Sequence, residues 1–355
     1  MRSNASLVGE LAEMHTYCRP HGTPGDQIFR RRYILPLLDL DYVDDGFTDS
    51  FGNIHVFIGS PRVVWSCHTD TVHSHSGRQR VSLSHKGILS VTKRDKKRVS
   101  CLGADDTVGV FLCRQLILAG VEGHYIFHYG EERGCIGSSS LASKDPALLL
   151  GAEIAIAFDR AGTRDVITHQ CSMRTASNAF AQSLSDQLNR VTGLEFRGDD
   201  GGVFTDTNEY RDLIPECTNV SVGYYRAHSP HENVDTSHVL RLLSALLQLD
   251  QSALVVARDP NVPDPEDVAR EIAREKAYND RFKGFSLVGR DWTQPKILDL
   301  DYEWDEDEDE DKDDPTLPRA TVAQSPRYRD LFLDPEYAAV LDWLARDEDE
   351  DPRYN

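Results

Sequence analysis

A three-layer α/β sandwich, with a mostly parallel central sheet flanked by helices, is predicted by two observations. Apolar runs of strand length alternate with stretches of helical periodicity along the first 255 residues. Metal-binding residue types cluster just beyond several of those runs, where open α/β sheets gather their ligands. In chain order, residues 3–18 and 25–38 read as helices, separated by the breaker Pro20-His21-Gly22-Thr23-Pro24-Gly25. Residues 54–58, 63–67, 81–83, 88–91 and 99–102 read as short strands. From Thr107, the spacing of Val108, Phe111, Leu112, Leu116 and Leu118 predicts a helix. Residues 125–129 and 154–158 are apolar runs of the buried-strand kind, and 175–191 and 236–250 are again helical.

The 355 residues include 39 Lys and Arg against 59 Asp and Glu, a formal charge of −20. That charge is unevenly placed. Residues 299–314 hold twelve acids and one lysine, and 347–351 are five consecutive acids, so the rest of the chain is near neutral, at −4. The predicted organisation is a globular domain over 1–255, a charged helical extension over 256–298, an acidic linker over 299–314, and a tail with a short helix over 315–355. Such acidity argues against nucleic-acid or anionic-membrane partners, and it leaves the linker hydrated or paired with a basic protein. No apolar run approaches the roughly 18 residues that span a bilayer. The first six residues lack the apolar segment of a secretory signal. Seven scattered cysteines without a CxxC pair read as packed thiols, and a reducing cytoplasm is the expected compartment.

Five segments concentrate the residues that carry chemistry: Cys67-His68-Thr69-Asp70, Gly103-Ala104-Asp105-Asp106, Gly130-Glu131-Glu132, Phe158-Asp159, and His228-Ser229-Pro230-His231-Glu232. Two divalent cations about 3.5–4 Å apart require an anionic bridge, plus an imidazole and a carboxylate each. Two His, a bridging Asp, one Glu and one further Asp would supply that set. Adjacent glutamates offer one ligand and one base for a water proton. In His68-Thr69-Asp70, positions i and i+2 share a strand face, so the Asp70 carboxylate can accept from the second ring N–H of His68.

These ordered motifs resemble the co-catalytic zinc peptidase superfamily that includes peptidase T, aminoacylase and zinc aminopeptidases. His-Thr-Asp-Thr-Val over 68–72 and Leu-Gly-Ala-Asp-Asp over 102–106 are especially like peptidase T. Residues 201–208, Gly-Gly-Val-Phe-Thr-Asp-Thr-Asn, resemble a family loop, and 219–228 resemble the aminopeptidase ending. The resemblance covers residues 5–255 and implies a zinc-peptidase-like fold and a catalytic domain over 1–255. It implies His68, Asp105, Glu132, Asp159 and His228 as metal ligands, with Asp105 bridging two ions across a cis Asp105–Asp106 peptide. Glu131 would be the general base, Asp70 would orient His68, and Asp206 and Asn208 would lie near substrate. Zinc is the expected ion, with cobalt or manganese as alternatives.

Asp159 and His228 are only 69 positions apart, too few for the dimerising lid that peptidase T inserts there. A lidless domain is therefore expected. It would cleave an amide or peptide bond of a small peptide or aminoacyl substrate through a metal-bridged hydroxide. An N-acyl amino acid deacylase or carboxypeptidase-type amidohydrolase, or a non-catalytic binding protein retaining the fold, are the alternatives. His231 competes with His228 as a ligand, but the His-Ser-Pro-x-Glu frame favours His228. His73 and His75 read as rim residues, His128 as a core histidine, and Arg160 and Arg174 as surface ion pairs.

Overall fold

The computed structural model describes residues 3–262 and scattered positions from 264 to 277. The acidic linker, the tail and most of the helical extension lie outside the described residues. Eight strands build the main sheet: β1 (Asp45–Thr48), β2 (Ile54–Ile58), β3 (Val63–His68), β4 (Gly123–His128), β5 (Ile154–Arg160), β6 (Asp165–Ile167), β7 (Arg197–Asp199) and β8 (Glu216–Ser221). Their spatial order is β7-β6-β8-β5-β3-β4-β2-β1. The central run β8-β5-β3-β4 is parallel, as is β7 with β6, whereas β6–β8, β4–β2 and β2–β1 are antiparallel. The sheet is thus parallel at its centre and mixed towards its edges.

Period-2 alternation sorts the central side chains onto two faces. Val64, Ile126, Ala155 and Cys217 point to one side, where they meet Leu141, Leu149, Tyr210 and Ile214. Trp65, Tyr125, Phe127, Ile156 and Phe158 point to the other, into the larger core with Val108, Phe111, Leu112 and Leu116. Trp65 is fully buried, stacks on Phe158 at 5.7 Å between ring centres, and donates its Nε1–H to the Glu122 carbonyl at 3.2 Å. Burial of each such large side chain stabilises the fold by about 1.5–3 kcal/mol.

The helices that flank the sheet include α1 (Asn4–Met14), α2 (Pro24–Tyr33), α3 (Ala104–Leu118), α4 (Ile136–Lys144), α5 (Asn178–Leu188) and α6 (Thr236–Leu246). Their ends explain where the predicted spans were too long. The Ser177 hydroxyl accepts from Phe180 N–H at 3.0 Å and starts α5 three residues later than expected. Asp235 caps α6 by accepting from the N–H groups of Ser237 and His238. Pro36 has no N–H for a continued ladder, so α2 stops at Tyr33 and Leu35–Leu37 form a 3-10 turn. Tyr17 and Cys18, expected in the first helix, instead pair with Arg78 and Gly77.

Residues 99–102 do not form the predicted strand. The amides of Leu102 and Gly103 donate to the Glu232 carboxylate, both at 2.7 Å, and so are taken up by a side chain and not by a strand neighbour. A second, antiparallel sheet joins Val81–Leu83, Ile88–Val91, Asn233–Asp235 and Tyr224–Tyr225. Its last two strands form a hairpin whose loop carries His228. Between Asp159 and His228 the described residues build β6, α5, β7, β8 and a short hairpin, with no separate lid. Among the described residues, no helix is long and apolar enough to cross a membrane.

Candidate metal centre

Adjacent parallel strands β3, β4 and β5 end side by side, and the crossover helices α3 and α4 leave from that same edge. His68 closes β3, a turn of 3-10 helix over Glu131–Arg133 follows β4, and Asp159 lies near the end of β5. Asp105 stands at the start of α3, where Asp105 and Asp106 have non-helical backbone angles and the peptide between them is cis. The 226–232 loop delivers His228 from the second sheet, with its own backbone in the left-handed region at φ 60°.

The resulting arrangement has Asp105 at its middle. One carboxylate oxygen, Oδ1, lies 2.9 Å from His68 Nε2, and Oδ2 lies 3.1 Å from His228 Nε2. Each imidazole has a second carboxylate of its own: Asp159 Oδ1 is 3.6 Å from His68 Nε2, and Glu132 Oε1 is 3.3 Å from His228 Nε2. Four-coordinate zinc with bonds of about 2.0–2.2 Å separates its ligand atoms by roughly 3.3 Å, so these spacings match the edges of two tetrahedra sharing Asp105. Asp106 also approaches His68 and Asp159, but its oxygens accept from the His68 N–H at 3.2 Å and the Gly109 N–H at 2.8 Å. Asp105 is the less committed of the two.

The carboxylates favour positive charge between them. Burial alone would keep His68 neutral, yet the carboxylates of Asp105, Asp159 and Asp70 drive its pKa well up. Asp105 and Glu132 lift His228 to about 11. Burial, with Asp105 beside it, raises Asp159 to about 7. Glu132 Oε1 is buried with no hydrogen-bond donor, although His228 Nε2 is close. Three carboxylates around two imidazoles, one oxygen of them orphaned, fit a pair of divalent cations.

The Asp70 carboxylate stands beside His68, and the Asp70 carbonyl oxygen lies nearer still to the same ring nitrogen. The His68 Nδ1 atom lies 3.1 Å from the Asp70 carbonyl oxygen and 3.6 Å from the side chain. The same carboxylate oxygen, Oδ1, also accepts the Glu131 N–H at 3.2 Å. Glu131 has its carboxyl beside the Cys135 thiol, which donates at 3.7 Å, and burial pushes its pKa up to about 9. Asp206 and Asn208 are buried in a 3-10 turn, where Asp206 accepts from Ser138 Oγ at 2.5 Å and Asn208 from Arg211 at 3.5 Å. The residue of that loop which touches the ligand set is Thr205, whose Oγ donates to Asp159 Oδ2 at 2.7 Å.

Asn219 clamps the Asp159 backbone by accepting its N–H and donating to its carbonyl, both at 2.9 Å. Glu232 is buried and accepts from the amides of Leu102, Gly103 and, at 3.3 Å, Asp105. Neither was singled out from the sequence, although Glu232 closes the His-Ser-Pro-x-Glu frame. His231 is exposed, His73 is buried and His75 exposed. His128 is a core residue between Ser66 Oγ at 3.0 Å and Tyr210 OH at 3.4 Å. Arg160 pairs with Asp165 and Arg174 with Asp264.

No family model matches this sequence, and no curated protein matches it significantly. The fold is similar to that of solved peptidase structures. In particular, the fold is shared with a tripeptidase from Staphylococcus aureus (TM-score 0.57, 13% identity, covering 70% of this chain and 98% of that one). It is shared equally with the aminopeptidase PepT from Bacillus cereus (TM-score 0.55, 12% identity, covering 69% and 97%). At such identities the likeness is one of fold.

Proposed function

We propose that this chain is a peptide hydrolase that works with two divalent metal ions. The observation that carries the reading is the Asp105 carboxylate, one oxygen toward His68 and the other toward His228, each imidazole with its own further carboxylate. The shared fold of proteins named as an aminopeptidase and a tripeptidase supports it. His68 and Asp159 would hold one ion, His228 and Glu132 the other, and Asp105 both. Bound there, the ions would polarise a substrate carbonyl and acidify a water molecule. Beside two cations the Glu131 carboxyl is favoured in its ionised form, despite the burial that otherwise keeps it protonated. Glu131 then takes the proton of the attacking water and returns it to the leaving amine. A small peptide or an acylated amino acid is the substrate class.

Metal content of the purified protein, and hydrolysis of a panel of dipeptides and aminoacyl anilides, test this together. Wild type and Glu131→Gln should both hold divalent metal, with activity in the variant lower by about 10²–10⁴-fold. Asp105→Ala should lose both metal and activity. Wild-type protein without metal, or Asp105→Ala with undiminished activity, would remove the basis of the proposal.

A further inference from the structure

Against the metal centre lies a cavity of about 370 Å³, lined among others by Pro20, His21, Val72, His73, Glu132 and Arg133. Its volume is at the small end of ligand pockets, roughly 300–1,000 Å³, and suits one or two residues of a short substrate. Because Glu132 is shared between its wall and the candidate metal centre, a group seated there is adjacent to the reacting bond.

The polypeptide places one charge in this wall with care. Glu131–Arg133 form a single 3-10 turn between two glycines in the left-handed region, Gly130 (φ 76°) and Gly134 (φ 88°). The Arg133 N–H donates to the Gly130 carbonyl at 3.3 Å, and the Gly134 N–H to the Glu131 carbonyl at 2.9 Å. Three residues per turn send successive side chains about 120° apart. Glu132 therefore faces His228, while Arg133 projects to the cavity. Arg133 is exposed to the cavity, and among the described residues its guanidinium has no carboxylate partner and no hydrogen bond. The other polar wall groups are the Glu132 carboxylate, the Thr71 hydroxyl and two imidazoles. His21 packs on Tyr129 at 4.3 Å, and His73 Nδ1 lies 2.7 Å from Thr71 Oγ1.

We propose that this cavity is an anion subsite in which Arg133 takes a substrate carboxylate through its two-pronged guanidinium, so that the preferred substrates are short peptides with a carboxylate close to the scissile amide. The inference rests on the hydrolase reading and sharpens it. With cations offsetting Glu132, the wall retains one positive charge, a hydroxyl and two rings, a surface complementary to an anion and unfavourable to an ammonium group. The carboxylate can be a free peptide C-terminus or an acidic side chain.

The test uses the full-length, zinc-loaded protein. Hydrolysis of L-alanyl-L-alanine, its C-terminal amide, and L-alanyl-L-glutamate α-amide is compared for wild type, Arg133→Gln and Arg133→Lys. A free C-terminus as the source gives at least a tenfold preference for the acid over the alanine amide; an acidic side chain gives that preference for the glutamate amide. In Arg133→Gln the preference should vanish through a rise in KM with kcat little changed. Arg133→Lys should restore part of it. Calorimetric titration of L-alanyl-L-alanine and of L-alanyl-L-glutamate α-amide into Glu131→Gln and into Glu131→Gln/Arg133→Gln reads binding without turnover. Loss of affinity with Arg133 supports the subsite even if no peptide is cleaved, an outcome that would sink the hydrolase reading alone. Equal handling of all three peptides by wild type and Arg133→Gln, or binding unaffected by Arg133, overturns the subsite.

Discussion

Glu232 is the side chain that ties the two halves of the candidate centre together. It lies four positions beyond His228, yet its carboxylate is spent entirely on the backbone leading into Asp105. A carboxylate accepting several N–H groups fixes a loop by charge-assisted bonds, and losing an outer-shell partner of this kind typically costs 10–100-fold in metal affinity. If the centre holds divalent metal as proposed, Glu232→Gln should weaken its binding by about that factor, measured by chelator competition, while far-UV circular dichroism stays unchanged. Unchanged metal affinity would mean that the contact is only structural. The ligand residue types were legible because His, Asp and Glu at strand ends stand out from apolar runs. Glu232, Thr205 and Asn219 were not, because their partners are backbone groups and a ligand's second oxygen, which leave no complementary residue in the sequence. Asp70 shows the same limit: the i, i+2 rule put its carboxylate beside His68 but gave no sign that its carbonyl would stand nearer still.

At the level of the element, α3 shows how a helix is adapted to carry a site. Regular helical angles begin only after Asp106, whose carboxylate folds back over Gly109 and also receives the His68 N–H. A Cβ at position 109 would sit 2.4 Å from Asp106 Oδ2. Gly109→Ala sets a helix-propensity gain of about 1 kcal/mol against an overpacking cost of about 1–3 kcal/mol. Because the clash is with a carboxylate already held by two N–H groups, the cost should win. The urea midpoint of the metal-free protein should fall, with net destabilisation of up to about 2 kcal/mol; a rise would show that Asp106 is free to move. The apolar spacing from Val108 onward made this helix legible. The preceding loop was misread as a strand because an apolar run looks the same whether its amides meet a neighbouring strand or a buried glutamate.

For the whole molecule, alternation of strands and helices was sufficient to read the layers, since both faces of the central strands are apolar. The antiparallel edges were not legible, because strand direction depends on how connections cross and not on composition. Several buried histidines give the fold a pH dependence. Burial lowers His15 to about 3 and His238 to about 4, and holds His124 and His128 well below their usual range. Each stays neutral in the folded chain while the unfolded chain takes up a proton below about pH 6.5. The unfolded state then binds more protons, so stability is lost as pH falls from about 6.5 towards 4, by up to about 1.4 kcal/mol per pH unit for each group. Replacing one of them, as in His15→Gln, should flatten the slope of unfolding free energy against pH by about one proton in that window. Parallel curves for variant and wild type would refute the assignment.

The two imidazoles of the centre differ in one respect with a kinetic consequence. His68 is fully buried at the end of a central strand, whereas the His228 side chain is 53% exposed on a hairpin loop. An ion in the outer seat could leave for a chelator by a small excursion of that loop, while release from the inner seat requires the strand end itself to open. The centre would then have one labile and one inert position: the inner ion would be retained through purification, and the supply of the outer ion would set how much of the protein is active at any moment.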